Sequence, residues 1–138
     1  MGLPNVYDAN GKPVGEAVGY ETGYRNIKGT WYQFNFDENG VPKNAFFVFT
    51  GANCTQTGYD YYYWDAITLP PFVRADAGGA LWGGTGDPFY VNVNSYAFYD
   101  TSWQAMHCEN YSWQALVVKA VDVDGVDAST WKAPFSVK

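Results

Sequence analysis

This sequence is short of several things that common chemistries need. It has one histidine (His107), two cysteines (Cys54 and Cys108) and four leucines in 138 residues. A nucleophile-and-base site needs a base that titrates near neutrality, and the only histidine abuts a cysteine. No Gly-x-Ser-x-Gly elbow is present to expose a serine. Eight Lys and Arg against fourteen Asp and Glu leave a formal charge of −6, which excludes the basic face that nucleic acid requires. The same balance disfavours an anionic membrane surface. No apolar run approaches the ~20 residues of a bilayer span, so membrane insertion is not expected. Met1-Gly2-Leu3-Pro4-Asn5 lacks a charged and then apolar leader. The start is therefore read either as that of an excised domain or as the native start of a protein not exported by that route, such as a phage structural protein. No linker, charge block or long repeat divides the chain, and residues 1–138 read as a single domain.

What the sequence has instead is aromatic. Six Trp, twelve Tyr and nine Phe make up 20% of it. With Thr and Val, these residues favour half-buried pleated surfaces, while good helix formers are scarce. Fifteen Gly and seven Pro, spread along the chain, suit many short strands joined by turns. The expected fold is all-β, an antiparallel sandwich or barrel of short strands and hairpins.

Val6-Tyr7-Asp8, Asn10-Gly11 and Val14 to Val18 predict a hairpin with a tight Asn-Gly turn. Thr30 to Phe36, turning at Asp37-Glu38-Asn39-Gly40 into Ala45 to Phe49, predicts a second. Tyr59 to Trp64 reads as a strand, ended by Leu69-Pro70-Pro71. Ala80 to Trp82 predicts a short strand before a Gly83 to Pro88 loop. Phe89 to Tyr99 follows, with Tyr90, Asn92, Asn94 and Tyr96 on one face and Phe89, Val91, Val93 and Ser95 on the other. Trp113 to Val123 is a further strand, and Phe135 to Val137 the last segment. Thr101 to Tyr111 has helical spacing after Ser102. Strand is preferred there because Ser102-Trp103-Gln104-Ala105 recurs as Ser112-Trp113-Gln114-Ala115. Two similar strands about a Cys108-Glu109-Asn110 turn would explain the repeat.

The chemistry-bearing patterns are weak. Gly79, Gly83, Gly84 and Gly86 lack the Lys-Ser/Thr ending of a phosphate loop. Glycosidase-like carboxylate pairs could be drawn from Asp60, Asp65, Asp87, Asp100 and Glu109, but acidic turn residues are ordinary in β proteins. Asp122, Asp124 and Asp127, alternating around Gly125 and Val126, resemble the start of a calcium loop; the closing acid is replaced by Ala133. A solvated acidic turn is the expected reading, with no metal and no cofactor. No catalytic residues are assigned. The chain is expected not to be an enzyme.

Aromatic clustering is the strongest functional signal. Tyr59 to Trp64 would put rings on both faces of one strand, and only one face can enter a core. Trp82, Tyr96, Tyr99, Trp103 and Trp113 add to the supply. Tyr and Trp bring rigid amphipathic area at low entropic cost. Tyr59, Tyr61, Tyr62, Tyr63, Trp64, Trp82, Tyr99, Trp103 and Trp113 are therefore the candidate binding or interface residues. Their partner is expected to be a cell-surface glycan or protein receptor, as at a fibre tip. The alternative is a structural subunit in which copies of the chain meet through these rings in a homotrimer or filament.

Val6-Tyr7-Asp8-Ala9-Asn10-Gly11-Lys12-Pro13-Val14-Gly15 opens the chain, and Phe49-Thr50-Gly51-Ala52-Asn53-Cys54-Thr55-Gln56-Thr57-Gly58-Tyr59 follows mid-chain. Gly79-Ala80-Leu81-Trp82 and Ala133-Pro134-Phe135-Ser136-Val137-Lys138 come later. Their succession resembles a β-rich C-terminal module of bacterial collagen-like, surface or secreted proteins and of phage tail-fibre-like proteins. In that module the residue two after the cysteine is usually Gly, where this chain has Gln56. The resemblance implies an extracellular, cell-surface or virion-borne domain without established catalytic residues.

Cys54 and Cys108, an even count among polar turn residues, are expected to be bonded. Two free thiols are the competing state. A metal site with His107 is a poorer one, because it lacks a fourth soft ligand. A bridge closing a loop of this length contributes roughly 4 kcal/mol. The unreduced protein is therefore expected to resist thiol alkylation and to lose about that much stability on reduction. Two alkylatable thiols in the native protein would overturn the pairing.

Overall fold

The computed structural model describes residues 3–125 and 127–138; Met1, Gly2 and Val126 lie outside the described residues. The fold is a sandwich of two antiparallel sheets. The first sheet runs β10-β1-β2-β3-β4, from β1 (Asn5–Tyr7), β2 (Pro13–Gly19), β3 (Thr22–Ile27), β4 (Thr30–Asn35) and β10 (Ser136–Val137). The second runs β5-β6-β9-β8-β7, from β5 (Phe46–Phe49), β6 (Gly58–Asp60), β7 (Val73–Ala75), β8 (Leu81–Asp100) and β9 (Ala105–Asp122). β5 also pairs with β8, so pairing closes a circuit through β5, β6, β9 and β8. One short helix, α1 (Tyr63–Ile67), interrupts the strands. No described helix is long and apolar enough to cross a membrane.

The first hairpin forms as the sequence predicts. Gly11 takes a positive φ, and the buried Asp8 carboxylate accepts the N–H groups of Asn10, Lys12 and Lys132, tying the turn to the C-terminal segment. The second expected hairpin does not form, because β4 and β5 lie in different sheets. β4 pairs instead with β3 across Lys28-Gly29, both at positive φ, the twist that a two-residue hairpin turn demands. The Asp37 to Gly40 turn survives as a local bridge.

Two hydrophobic clusters result. The larger lies between the sheets: Val6, Val14, Ile27 and Phe34 from the first meet Val73 and Leu81 from the second and Val123 just past the end of β9. Phe34 fits between two glycines, its cross-strand neighbour Gly23 and Gly15, since a Cβ on either would press on its ring. The smaller cluster, Val48, Val93, Ala115 and Val117, sits farther along the β8–β9 ladder.

β8 and β9 form one long hairpin with two register shifts, between Thr85 and Phe89 and between Val93 and Ser95. The expected Gly83 to Pro88 loop is thus an irregular stretch inside β8. Ser102-Trp103-Gln104 is the hairpin's turn, and Cys108-Glu109-Asn110 lies within β9. The two Ser-Trp-Gln-Ala copies are therefore not matched strands about a turn: one spans the turn and the other is mid-strand. The second shift also corrects the expected faces. Tyr96 joins Phe89, Val91 and Val93 against the second cluster, while Ser95 turns the other way and is fully buried. At this shift three steps of β9 oppose two of β8, and such a bulge breaks the regular alternation of faces.

The Cys54–Cys108 disulfide is formed, with Cα atoms 6.1 Å apart. It joins the short 3-10 turn Ala52–Cys54 to mid-β9. Ser95 reinforces it: its Oγ accepts the Cys54 N–H at 2.8 Å and donates to the Gly51 carbonyl at 2.6 Å. Gln56 holds φ +67°, a left-handed conformation that favours glycine.

A Cβ on Gly23 would lie 2.5 Å from the Phe34 ring, whereas one on Gly19 would meet nothing within 4 Å. Gly23→Ala is expected to cost about 1–3 kcal/mol by overpacking. Gly19→Ala should stay within ~0.5 kcal/mol of the parent. Urea unfolding of the two variants checks the contrast.

Candidate functional site

The segment read as an aromatic strand is not one. β6 stops at Asp60, and the chain turns through Tyr61 and Tyr62 into α1. The turn is set by Asp60, whose Oδ1 accepts the Tyr62 N–H at 2.9 Å. Tyr61 therefore faces Phe46 and Trp113, while Tyr63 and Trp64 stack on each other with centroids 4.7 Å apart. α1 sits close to the β8–β9 ladder at Gly84, where a Cβ would come within 3.1 Å of Ala66 Cβ.

Phe98, Tyr96, Phe46, Tyr61, Trp113 and Tyr111 form a continuous chain of rings, neighbouring centroids lying 5.2–6.1 Å apart. The Phe46 and Tyr96 rings stack at an interplanar angle of 10°, and Tyr61 meets Trp113 edge-on at 67°. Two hollows open along this row. One, of about 380 Å³, is lined by Phe46, Tyr61, Tyr96, Tyr111 and Trp113. The other, of about 360 Å³, lies between the Tyr61 to Trp64 segment and Trp113 to Leu116 of β9. That hollow touches four consecutive β9 residues, so its wall is the strand's outer edge as well as its side chains. Tyr61 and Trp113 line both hollows.

Among the candidate residues, Tyr61, Tyr62, Tyr63, Trp64 and Trp113 come together here. Tyr59 packs beneath, edge-on to Phe89 in the smaller core. The other three are elsewhere. Trp82 packs edge-on to Phe47 and donates its Nε1–H to Asp76. Tyr99 carries the Lys43 ammonium over its ring. Trp103 stands alone at the hairpin turn, 77% exposed. Phe46 and Tyr111 belong to the row but do not stand out in the sequence. Phe46 reads as core in an apolar run, and Tyr111 reaches the row only through the register of β9. A hollow of about 460 Å³ near Tyr20 and Phe36 is larger, but it has no such row of rings.

The disulfide lies beside this surface. Cys108 is paired with Ala97, next to Tyr96, so the staple holds the β8 and β9 stretches that carry Tyr96 and Tyr111. At the far end the His107 ring and Glu109 pair with each other. The acidic turn does not gather its carboxylates. Asp122 accepts the Gly125 N–H, Asp124 accepts the Ala128 N–H, and Asp127 pairs with Lys12 and Arg25. No group of three metal-ligating side chains occurs among the described residues. Val126, within the calcium-like run, lies outside the described residues.

Beneath the Tyr61 to Trp64 segment lie two buried carboxylates. Asp65 accepts from Arg74 Nε at 2.6 Å, and that guanidinium lies 4.1 Å from the Tyr62 ring centroid. Burial pushes the Asp60 carboxyl up to about 7; the neighbouring Asp65 adds to the rise, and the Tyr62 N–H and Arg74 oppose it. Both carboxyls are closed off from solvent and do not line either hollow.

Comparison with protein-family models, with curated proteins and with solved structures finds no match to this chain.

The Asp60 shift has a stability consequence. Below pH 3.8 the carboxyl is protonated folded and unfolded, and it costs nothing. As pH rises from 3.8 towards 7 the unfolded chain ionises while the folded one keeps its proton, so stability falls; above about 7 the penalty is constant. Asp60→Asn keeps the acceptor for Tyr62 and removes the titration. It is expected to be more stable than the parent by about 1–4 kcal/mol at pH 8, the difference shrinking towards pH 4. Thermal unfolding across that range tests this.

Proposed function

We propose that this chain is a non-catalytic binding module of an extracellular, cell-surface or virion assembly, and that it takes a glycan in the aromatic trench along Phe46, Tyr61, Trp113 and Tyr111. One observation carries the reading. Within the row Tyr61 and Tyr111 are exposed while Phe46, Tyr96 and Trp113 are half-buried, and no hydrogen bond within the described residues engages the hydroxyls of Tyr61, Tyr63, Tyr96 or Tyr111. Tyr111 is 64% exposed and Trp64 63%. Sugar rings have apolar C–H faces that lie on aromatic planes and hydroxyl rims that need donors and acceptors. Rings with free hydroxyls beside Gln114 meet both needs. The disulfide fits an oxidising compartment, and the resemblance to surface and tail-fibre modules supports the same location. His107 is paired with Glu109 and does not line the hollows.

Assembly of copies is the second reading, favoured by a different observation. β6 pairs with β9 only at Val118 and Lys119, which leaves the outer edge of β9 from Ala105 to Val117 without a strand partner among the described residues. Such an edge is a template for another strand. Light scattering separates the two: a strict monomer at high concentration sinks assembly.

On a glycan array the purified domain is expected to give hits. Tyr111→Ala or Tyr61→Ala should weaken them at least tenfold, about 1.4 kcal/mol. Trp103→Ala, remote from the trench, should leave them unchanged. Hits lost with Trp103 and kept without Tyr61 and Tyr111 would move the site elsewhere.

A further inference from the structure

We infer that the trench selects an uncharged oligosaccharide, seated as two neighbouring sugar units on either side of the Tyr61–Trp113 wall. The inference rests on the glycan reading above and adds ligand charge and length to it.

The two hollows have nearly equal volumes, about 380 and 360 Å³, and each can admit a sugar ring. They share two residues, Tyr61 and Trp113, whose rings meet edge-on with centroids 6.1 Å apart. The first hollow offers the Tyr111 and Tyr96 rings, and the second the stacked Tyr63–Trp64 pair and Gln114. A single sugar could fill one side only. Joining two units lets the second bind at the effective concentration set by one glycosidic link, without new contacts.

Charge follows from what lines these hollows. None of their lining residues is Lys, Arg, His, Asp or Glu. The nearest guanidinium, Arg74, is engaged by Asp65 and capped by Tyr62. The charged group paired across the strands from Tyr96 is Glu109, which is engaged by His107, and the chain carries −6 overall. A carboxylate or sulfate brought here would be desolvated without a cation lining the hollows, in the field of a net negative chain. Hydroxyls and acetamido groups, by contrast, can be met by tyrosine hydroxyls, the Gln114 amide and the exposed edge of β9.

The test is tryptophan fluorescence and NMR titration of the whole chain with maltotriose, cellotriose and triacetylchitotriose, with their monosaccharides, and with sialyllactose and a heparin tetrasaccharide. At least one neutral trisaccharide is expected to bind, roughly tenfold or more tighter than its monosaccharide and with weak dependence on salt. Tyr111→Ala and Trp64→Ala, one on each side of the wall, should each bring the trisaccharide down towards the monosaccharide. Both side chains are largely exposed, so the variants are expected to fold, and far-ultraviolet dichroism verifies it. Tighter binding of sialyllactose or heparin, lost in Tyr111→Ala, would overturn the charge inference and leave the glycan reading standing. Equal affinity for monosaccharide and trisaccharide would overturn the two-unit seat. Silence from every glycan here and on the array would remove the glycan reading itself.

Discussion

The β8–β9 ladder is the interaction on which the rest of this structure depends. It is the one element common to both hydrophobic clusters, contributing Leu81 to the inter-sheet core and Val93, Ala115 and Val117 to the smaller one. It also carries β7 at its base, β5 along β8 and β6 along β9. A two-stranded ribbon of this length is marginal by itself in water. Here it is held at the base by the sandwich and farther out by the disulfide and Ser95. Loss of the ladder would remove both cores at once, whereas loss of β1 would strip Val6 from the inter-sheet core and leave the smaller cluster untouched.

The trench is a by-product of two irregularities, one in that ladder and one at the end of β6. The shift at Val93 and Ser95 sends Tyr96 to the face shared with Phe46 and Trp113, and sends Ser95 into the loop that carries Cys54. The early end of β6 at Asp60 turns Tyr61 back over the same face. Each costs something: a break in the ladder in the first case, a buried carboxyl of raised pKa in the second. Local costs of this kind, held in place by surrounding structure, are common beside functional surfaces.

Much of the fold could be read from residues alone. The Asn10-Gly11 hairpin, the β-rich class and the Cys54–Cys108 pair follow from turn chemistry, composition and cysteine count. The hairpin expected between β4 and β5 fails for a general reason. Alternation and a turn show that two strands follow each other, and they do not show that the strands share a sheet. The site was half legible. Tyr61 to Trp64 and Trp113 stand out as clustered rings, yet Phe46 reads as core and Tyr111 as an isolated tyrosine. Trp82, Tyr99 and Trp103, equally conspicuous, lie outside the trench.

The amino-acid sequence by itself determined that this protein is an acidic, aromatic-rich β domain, because propensity, charge and turn residues act locally and need no partner. It also supplied the staple, since two cysteines admit only one intramolecular pair. Which rings share a surface was decided by tertiary structure. Side-chain alternation has a period of two, so the register shift at Val93 and Ser95, where three steps of β9 oppose two of β8, puts Tyr96 on the other face. Where the sequence predicts a strand after Asp60, the chain forms a turn, closed by the Tyr62 N–H donating to Asp60, and then a helix. Those are register events, set by packing across the sheet, and no pattern along the chain carries them.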